Sequence, residues 1–173
     1  MPVKTLLDDP DFYKFYIVAK RSTYAAGGDQ KAEVLRNGGK RYVFYDEERW
    51  PQWRYTDIYH GYNPFFGCEL VEETEGTTAS VWTPRAQMAY DGHAKGTENQ
   101  VKQMFTFLEK MLQRVSVQSP FRGPNEPTLE DGLMYQCGWA RLDPYRLHGK
   151  ENIVYALPQE AFYELRFQFC CLR

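Results

Sequence analysis

Residues 53–60 alternate between two kinds of side chain, and this segment constrains the fold more than any other. One set of alternate positions is Trp53, Tyr55, Asp57 and Tyr59, and the other is Arg54, Thr56, Ile58 and His60. A period of two predicts a β-strand whose two faces differ. If the aromatic face is covered by other elements, the Asp57 carboxylate lies in apolar surroundings.

The spacing of apolar residues also predicts two amphipathic helices. The first begins at Asp9 or Asp11 and ends near Tyr24. The second begins at a capping box over residues 97–100 and is ended by Pro120. The apolar positions at helical spacing are Phe12, Phe15, Tyr16 and Ala19 in the first helix, and Val101, Met104, Phe105, Leu108, Met111, Leu112 and Val115 in the second.

Strand-like segments follow each predicted helix. They cover residues 41–47, 53–60, 66–73 and 80–90, and then 133–137, 139–147, 152–157 and 162–170. This order predicts a single α+β domain over residues 1–173 with two similar halves, about 9–93 and 97–171. Each half is expected to be a helix followed by three or four antiparallel strands, because similar glycine turns near His60 and His148 indicate a duplication. We expect the helices to pack on the sheet, with an aromatic-lined cleft where the halves meet.

The composition argues against several classes of function. A net charge of −2 without a basic run disfavours direct binding to nucleic acid. No apolar stretch is long enough to cross a bilayer and residues 1–10 do not resemble a secretory signal, so we expect a cytoplasmic monomer or homodimer without membrane contact. The 4 cysteines show no C-x-x-C spacing and no Cys/His cluster, so no metal is expected. A phosphate-binding glycine loop and a G-x-S-x-G motif are both absent from the sequence, so we expect no cofactor.

Six short segments, in this order and spacing, resemble a known family. They are residues 15–25 (FYIVAKRSTYA), 53–59 (WRYTDIY), 66–69 (FGCE), 88–92 (MAYDG), 121–124 (FRGP) and 162–167 (FYELRF). The resemblance is to a family catalogued only as a domain of unknown function, which occurs alone or behind Xre-type helix-turn-helix domains. It implies the fold and the duplication but no settled activity.

The chain departs from the family pattern in three ways. Cys68 stands where a more polar residue is expected, and residues 170–173 replace a glycine pair. No helix-turn-helix precedes the matching segments, so a transcriptional role would need a separate DNA-binding partner.

Acidic residues among the rings are the candidate catalytic groups. Desolvation would raise the pKa of Asp57 and suit it to acid/base work, and Glu69 on the returning strand could share that work. His93 is a possible proton carrier. In the structural alternative, Asp57 is either hydrogen-bonded to tyrosine hydroxyls or exposed on the outer face, Glu69 is exposed, and His93 is structural or exposed. The second half has no convincing counterpart of the two acids, so one site is expected.

Aromatic side chains and one arginine make up the candidate ligand-binding set. They are Tyr24, Trp53, Tyr55, Tyr59, Trp82, Tyr90, Arg122 and Tyr135. An aromatic fraction of 16% is more than a core needs, and Tyr and Trp suit a half-wet pocket or interface. Arg122 lies in a proline-bounded loop, where it can face a ligand anion or form a structural salt bridge.

These features leave three functions open. The first is an enzyme that performs acid/base isomerisation, cyclisation or elimination on a small hydrophobic or aromatic molecule without a cofactor. The second is a non-catalytic module that binds or senses such a molecule and acts through a partner protein. The third, a protein-interaction domain, would need an exposed aromatic patch and no enclosed cavity.

Overall fold

The structure is a computed structural model that describes residues 5–26, 32–74, 81–156 and 162–172. Helices α1 (Pro10–Ser22) and α2 (Glu98–Leu112) each precede a series of strands. The strands are β1 (Glu33–Val34), β2 (Lys40–Tyr45), β3 (Trp53–Gly61), β4 (Phe65–Glu73), β5 (Thr83–Lys95), β6 (Thr128–Glu130), β7 (Leu133–Asp143), β8 (Arg146–Tyr155) and β9 (Phe162–Cys171). Within the described residues they form one nine-stranded antiparallel sheet in the order β1-β2-β3-β4-β5-β9-β8-β7-β6.

Local sequence accounts for where the helices begin. The Asp9 side chain accepts a hydrogen bond from the Asp11 backbone at 2.9 Å, and Pro10 occupies the first helical position of α1. At the start of α2, Thr97 and Gln100 form the predicted capping box, with the Gln100 side chain accepting from the Thr97 backbone at 2.8 Å. None of the helices in the described part of the chain is long and apolar enough to cross a membrane.

Both helices cover the same face of the sheet. The predicted alternation holds in β3, where Trp53, Tyr55 and Asp57 are buried on the covered face. From α1, the ring of Phe12 lies 6.1 Å from that of Trp53. From α2, the ring of Phe105 lies 5.9 Å from that of Tyr163 in β9. The core therefore lies between the helices and this face.

The prediction of two helix-plus-strand repeats is wrong. β5 and β9 pair along their length, from Ala86 opposite Cys171 to Lys95 opposite Phe162, so the strands after both helices belong to one sheet. Periodicity indicates which face of a strand is buried but not which strand lies beside it. Two separate sheets would each end in a long strand with unpaired backbone groups, and pairing β5 with β9 removes both edges. Residues 80 and 157, predicted as strand ends, lie outside the described residues.

Candidate functional site

A cavity of about 490 Å³ lies between the helices and the β2–β5 side of the sheet. Its aromatic lining consists of Tyr24, Tyr55, Tyr59, Tyr62, Phe65, Tyr90 and Phe105. We call its buried charged residues, Lys20, Asp57, Glu69 and Arg122, the floor. The more exposed charged residues, Lys40, Glu98, Lys102 and Glu109, are the rim. The volume is that of a typical small-molecule site, and the lining combines apolar ring surfaces with these charged groups. The prediction of a cleft where two halves meet is therefore wrong, and the aromatic-lined space is a cavity between the helices and one sheet.

Asp57 and Glu69 occupy the centre of the floor. They are directly opposite each other in the β3–β4 register, which places both side chains on the covered face. The Tyr90 hydroxyl, from β5, donates a hydrogen bond to Asp57 Oδ1 at 2.8 Å. Burial raises the pKa of Tyr90 well above its usual range, so this hydroxyl remains a donor.

Glu69 is held by α1. The Lys20 ammonium lies 2.6 Å from Glu69 Oε1, and the Tyr16 hydroxyl donates to Oε2. Lys20, Tyr16 and Glu69 are all buried, and Arg122 Nη1 lies 3.9 Å from the same oxygen, Glu69 Oε1. Both oxygens of the Glu69 carboxylate are therefore already contacted by side chains of the protein, Lys20 at one and Tyr16 at the other.

Arg122 forms a second buried ion pair behind the floor. Its Nε and Nη2 donate to the two oxygens of Glu151 at 3.1 and 2.8 Å. The hydroxyls of Tyr135 and Tyr163 donate to the same carboxylate at 2.7 and 2.8 Å. Burial acts to raise the pKa of Glu151, but Arg122 and the two phenols outweigh it and hold that pKa below its usual value. The group fixes the guanidinium beneath the cavity.

Within the described parts of the chain, Asp57 is the acid on the floor that has no ion-pair partner of its own. Lys20 pairs with Glu69 and Arg122 pairs with Glu151. Burial is the main cause that raises the pKa of Asp57 from 3.8 to about 7, and the charge of Glu69 adds to it. The Tyr90 hydrogen bond, Lys20 and Arg122 act in the opposite direction. Asp57 therefore exchanges its proton near neutral pH and can act as an acid or a base.

The structure brings most of the predicted site residues together in this cavity. Those that line it are Asp57, Glu69, Tyr24, Tyr55, Tyr59, Tyr90 and Arg122. The remaining ones lie elsewhere. His93 is exposed on the opposite face, next to Phe162. Trp82 also lies outside, where Arg54 stacks on its ring. Trp53 is buried beneath α1, and Tyr135 contacts Glu151 behind the floor.

Sequence reasoning missed several residues of the site. Lys20 was not among the predicted site residues, yet it is only 6% exposed and lines the cavity. Lys20 lies one helical turn after Tyr16, on the apolar side of α1, and this spacing indicates that its side chain faces the sheet. Glu151 lies in a segment where no acidic counterpart was expected, and it is fully buried. Phe105 was assigned to the core stripe of α2 but also lines the cavity.

The described residues offer no group of three or more His, Cys, Asp or Glu side chains that could hold a metal ion. The four cysteines are free, with Cys68 on β4, Cys137 on β7, and Cys170 and Cys171 adjacent on β9. The side chains that line the cavity supply one carboxyl whose pKa lies near neutral, Asp57, and an apolar surface made of the rings.

Fold and site together define a mostly β protein, with one antiparallel sheet, two helices on one of its faces and an aromatic-lined cavity above a buried acid. The chain belongs to the family described as Domain of unknown function (DUF5680), which it matches over residues 57–171. This confirms the resemblance to a domain of unknown function. No curated protein and no solved structure matches the chain.

Proposed function

We propose that this protein is a cytoplasmic enzyme that moves a proton on a small apolar or aromatic molecule without a cofactor. An isomerase, cyclase or lyase fits best. The observation that supports the proposal most is Asp57, a buried carboxyl with a pKa of about 7 beneath a ring-lined cavity. A group that titrates near the working pH is effective both as acid and as base. The rings would bind the apolar body of the substrate and exclude water from the reacting atoms.

The two carboxylates have different roles in this proposal. Asp57 would transfer the proton, because Tyr90 orients one of its oxygens and its carboxyl is not taken up by Lys20 or Arg122. Glu69 would act as a positioning residue whose charge raises the pKa of Asp57. His93, on the far face, has no part in the reaction.

Hydrogen–deuterium exchange tests the proposal without knowledge of the product. The protein is incubated in D₂O with pools of small organic molecules, and mass spectrometry detects a compound that gains deuterium at carbon. The proposal expects at least one such compound, with loss of exchange in Asp57→Asn and full exchange in Asp91→Asn. Asp91 is a suitable control because it is an exposed carboxylate on β5 that does not line the cavity. Equal exchange by Asp57→Asn and wild type would refute the catalytic role.

A binding module remains the alternative, and one observation favours it. Lys20, Glu69 and Arg122 are occupied by protein partners, which leaves Asp57 as the group on the floor able to move a proton. An enzyme that uses a separate acid and base would need two such groups. A sensor that acts through a partner protein would need none, and the Xre-type fusions that the resemblance implies would use such a module. If a ligand binds wild type and Asp57→Asn without turnover in either, the module is supported.

Blocking the cavity separates both small-molecule functions from a protein-interaction role. Thr106 is exposed on α2 and lines the cavity, so Thr106→Trp should occupy the space where a ligand would lie. Asn99→Trp places the same ring on α2 outside the cavity and serves as the control. Ligand binding measured by NMR should be lost only in Thr106→Trp. Retained binding in this variant would show that the ligand does not occupy the cavity.

A further inference from the structure

The charges on the floor bear on what kind of molecule the cavity accepts. Each buried cation has a carboxylate partner, at 2.6 Å for Lys20–Glu69 and 2.8 Å for Arg122–Glu151. When Asp57 is ionised, one negative charge on the floor is therefore left without a counter-ion among the residues that the structure describes. Burying a charge without a partner is costly, so the floor is balanced either by a proton on Asp57 or by a cation from outside the protein.

The aromatic walls are suited to a cation as well as to an apolar group. Ring faces are electron-rich and attract ammonium groups within about 6 Å. The protein already uses rings at the cavity in this way, since Lys40 lies 5.7 Å from the centre of the Tyr59 ring and Arg122 lies 5.8 Å from that of Tyr90. Phe105 adds a half-buried ring from α2. A ligand cation would be stabilised by both the rings and the carboxylate.

An anionic ligand is disfavoured by the same geometry. It would approach Asp57 and Glu69 while Lys20 and Arg122 are held by carboxylates. The rim contains two lysines and two glutamates, so it contributes no net charge. From these placements we infer that the ligand carries a protonated amine or quaternary ammonium group, which lies against Asp57 with its apolar body among the rings. The inference rests on the proposed binding of a small molecule in the cavity and holds for the enzyme and for the binding module.

A cation that replaces the Asp57 proton makes binding depend on pH. The groups that face Asp57 are Lys20 from α1, Glu69 from β4, Tyr90 from β5 and Arg122 from the loop before β6. Asp57 changes its charge near neutral pH, because its pKa is about 7. A ligand whose own charge is fixed should therefore bind about 30-fold more tightly at about pH 8 than at about pH 5.5.

Four probes of similar size test the inference by calorimetry or NMR titration. Phenyltrimethylammonium has a permanent positive charge, 2-phenylethylamine is a protonated amine, 2-phenylethanol is neutral and phenylacetate is an anion. We expect the two cations to bind more tightly than the other probes, and we expect their affinity to rise with pH. Asp57→Asn should remove the pH dependence and the preference for cations, whereas Asp91→Asn should keep both. Phe105→Leu should lower the affinity for phenyltrimethylammonium by roughly 2–30-fold, and the affinity for 2-phenylethanol by less.

The outcomes separate this inference from the proposed function. If 2-phenylethanol or phenylacetate binds as tightly as the cations, the amine inference is overturned while small-molecule binding in the cavity stands. A cation affinity that does not change with pH overturns it as well, and this wild-type measurement does not depend on how well Asp57→Asn folds. If none of the probes binds, the amine inference fails, and the deuterium exchange experiment decides the proposed function independently.

Discussion

Replacing Asp57 by asparagine should make the protein more stable at alkaline pH. The amide is nearly isosteric with the carboxyl, keeps an oxygen that can accept the hydrogen bond from Tyr90, and has no charge at any pH. In wild type, ionised Asp57 is buried next to Glu69, and Lys20 and Arg122 are already paired with other acids. The variant therefore removes an unfavourable charge and leaves the surrounding contacts in place.

The magnitude follows from the difference between the folded and unfolded pKa. Below about pH 3.8 both states hold the proton, so Asp57 contributes no pH-dependent penalty. Between pH 3.8 and about 7 the unfolded chain has released the proton while the folded protein keeps it, so the free energy of unfolding falls as pH rises. The fall is about 1.4 kcal/mol per pH unit and reaches about 4 kcal/mol above the folded pKa.

Urea denaturation at a series of pH values from about 4 to about 8.5 measures this effect. The quantity of interest is the free energy of unfolding of Asp57→Asn minus that of wild type, since other titrating groups cancel in the difference. It should rise by about 4 kcal/mol across the range, whereas the same difference for Asp91→Asn should stay flat. A constant difference for Asp57→Asn would show that the carboxyl titrates alike in both states. A difference that falls with pH would show that the folded protein favours the ionised form.

Three further changes test the surroundings of this acid. Lys20→Met should lower the free energy of unfolding by about 3–5 kcal/mol, because it leaves Glu69 buried with its ion pair broken; adding Glu69→Gln should restore part of the loss in the same urea measurement. Tyr90→Phe removes a hydrogen bond that lowers the pKa of Asp57, so a ¹³C NMR titration of that carboxyl should move to higher pH; an unchanged titration would contradict the contact. Thr97→Ala should cost about 1 kcal/mol of stability by removing the cap of α2, with no effect on the pH profile.

Much of the site could be predicted because period-two alternation identifies residues that share a face. The pattern of residues 53–60 put Tyr55, Asp57 and Tyr59 on one covered face, and the structure places all three in the cavity. Sequence alone also predicted the capping box that starts α2, since its partners are only three residues apart. Features that depend on neighbours close in the chain are therefore visible in the sequence.

Features that depend on distant neighbours were missed or misplaced. His93 is three residues after Tyr90 on β5, so the two side chains point to opposite faces, and counting positions would have removed His93 from the site. The spacing of Lys20 from Tyr16 indicates which side of α1 it lies on, but its ion pair could not be predicted in this way, because its partner Glu69 is 49 residues away. The same holds for Glu151, whose partner Arg122 lies on a loop. Periodicity within one element does not reveal such pairs.

The contrast between the buried acids indicates which of them requires a functional explanation. Glu69 and Glu151 are each held by a cation and by phenols, so structural ion pairing accounts for their burial. Asp57 receives a hydrogen bond from Tyr90 but destabilises the fold once it ionises, and asparagine would fill the same space without that cost. Strongly perturbed acids that the fold does not need are typical of sites where a proton or a counter-ion is used. Structural ion pairing therefore accounts for Glu69 and Glu151, whereas Asp57 would be accounted for by the function proposed for the cavity.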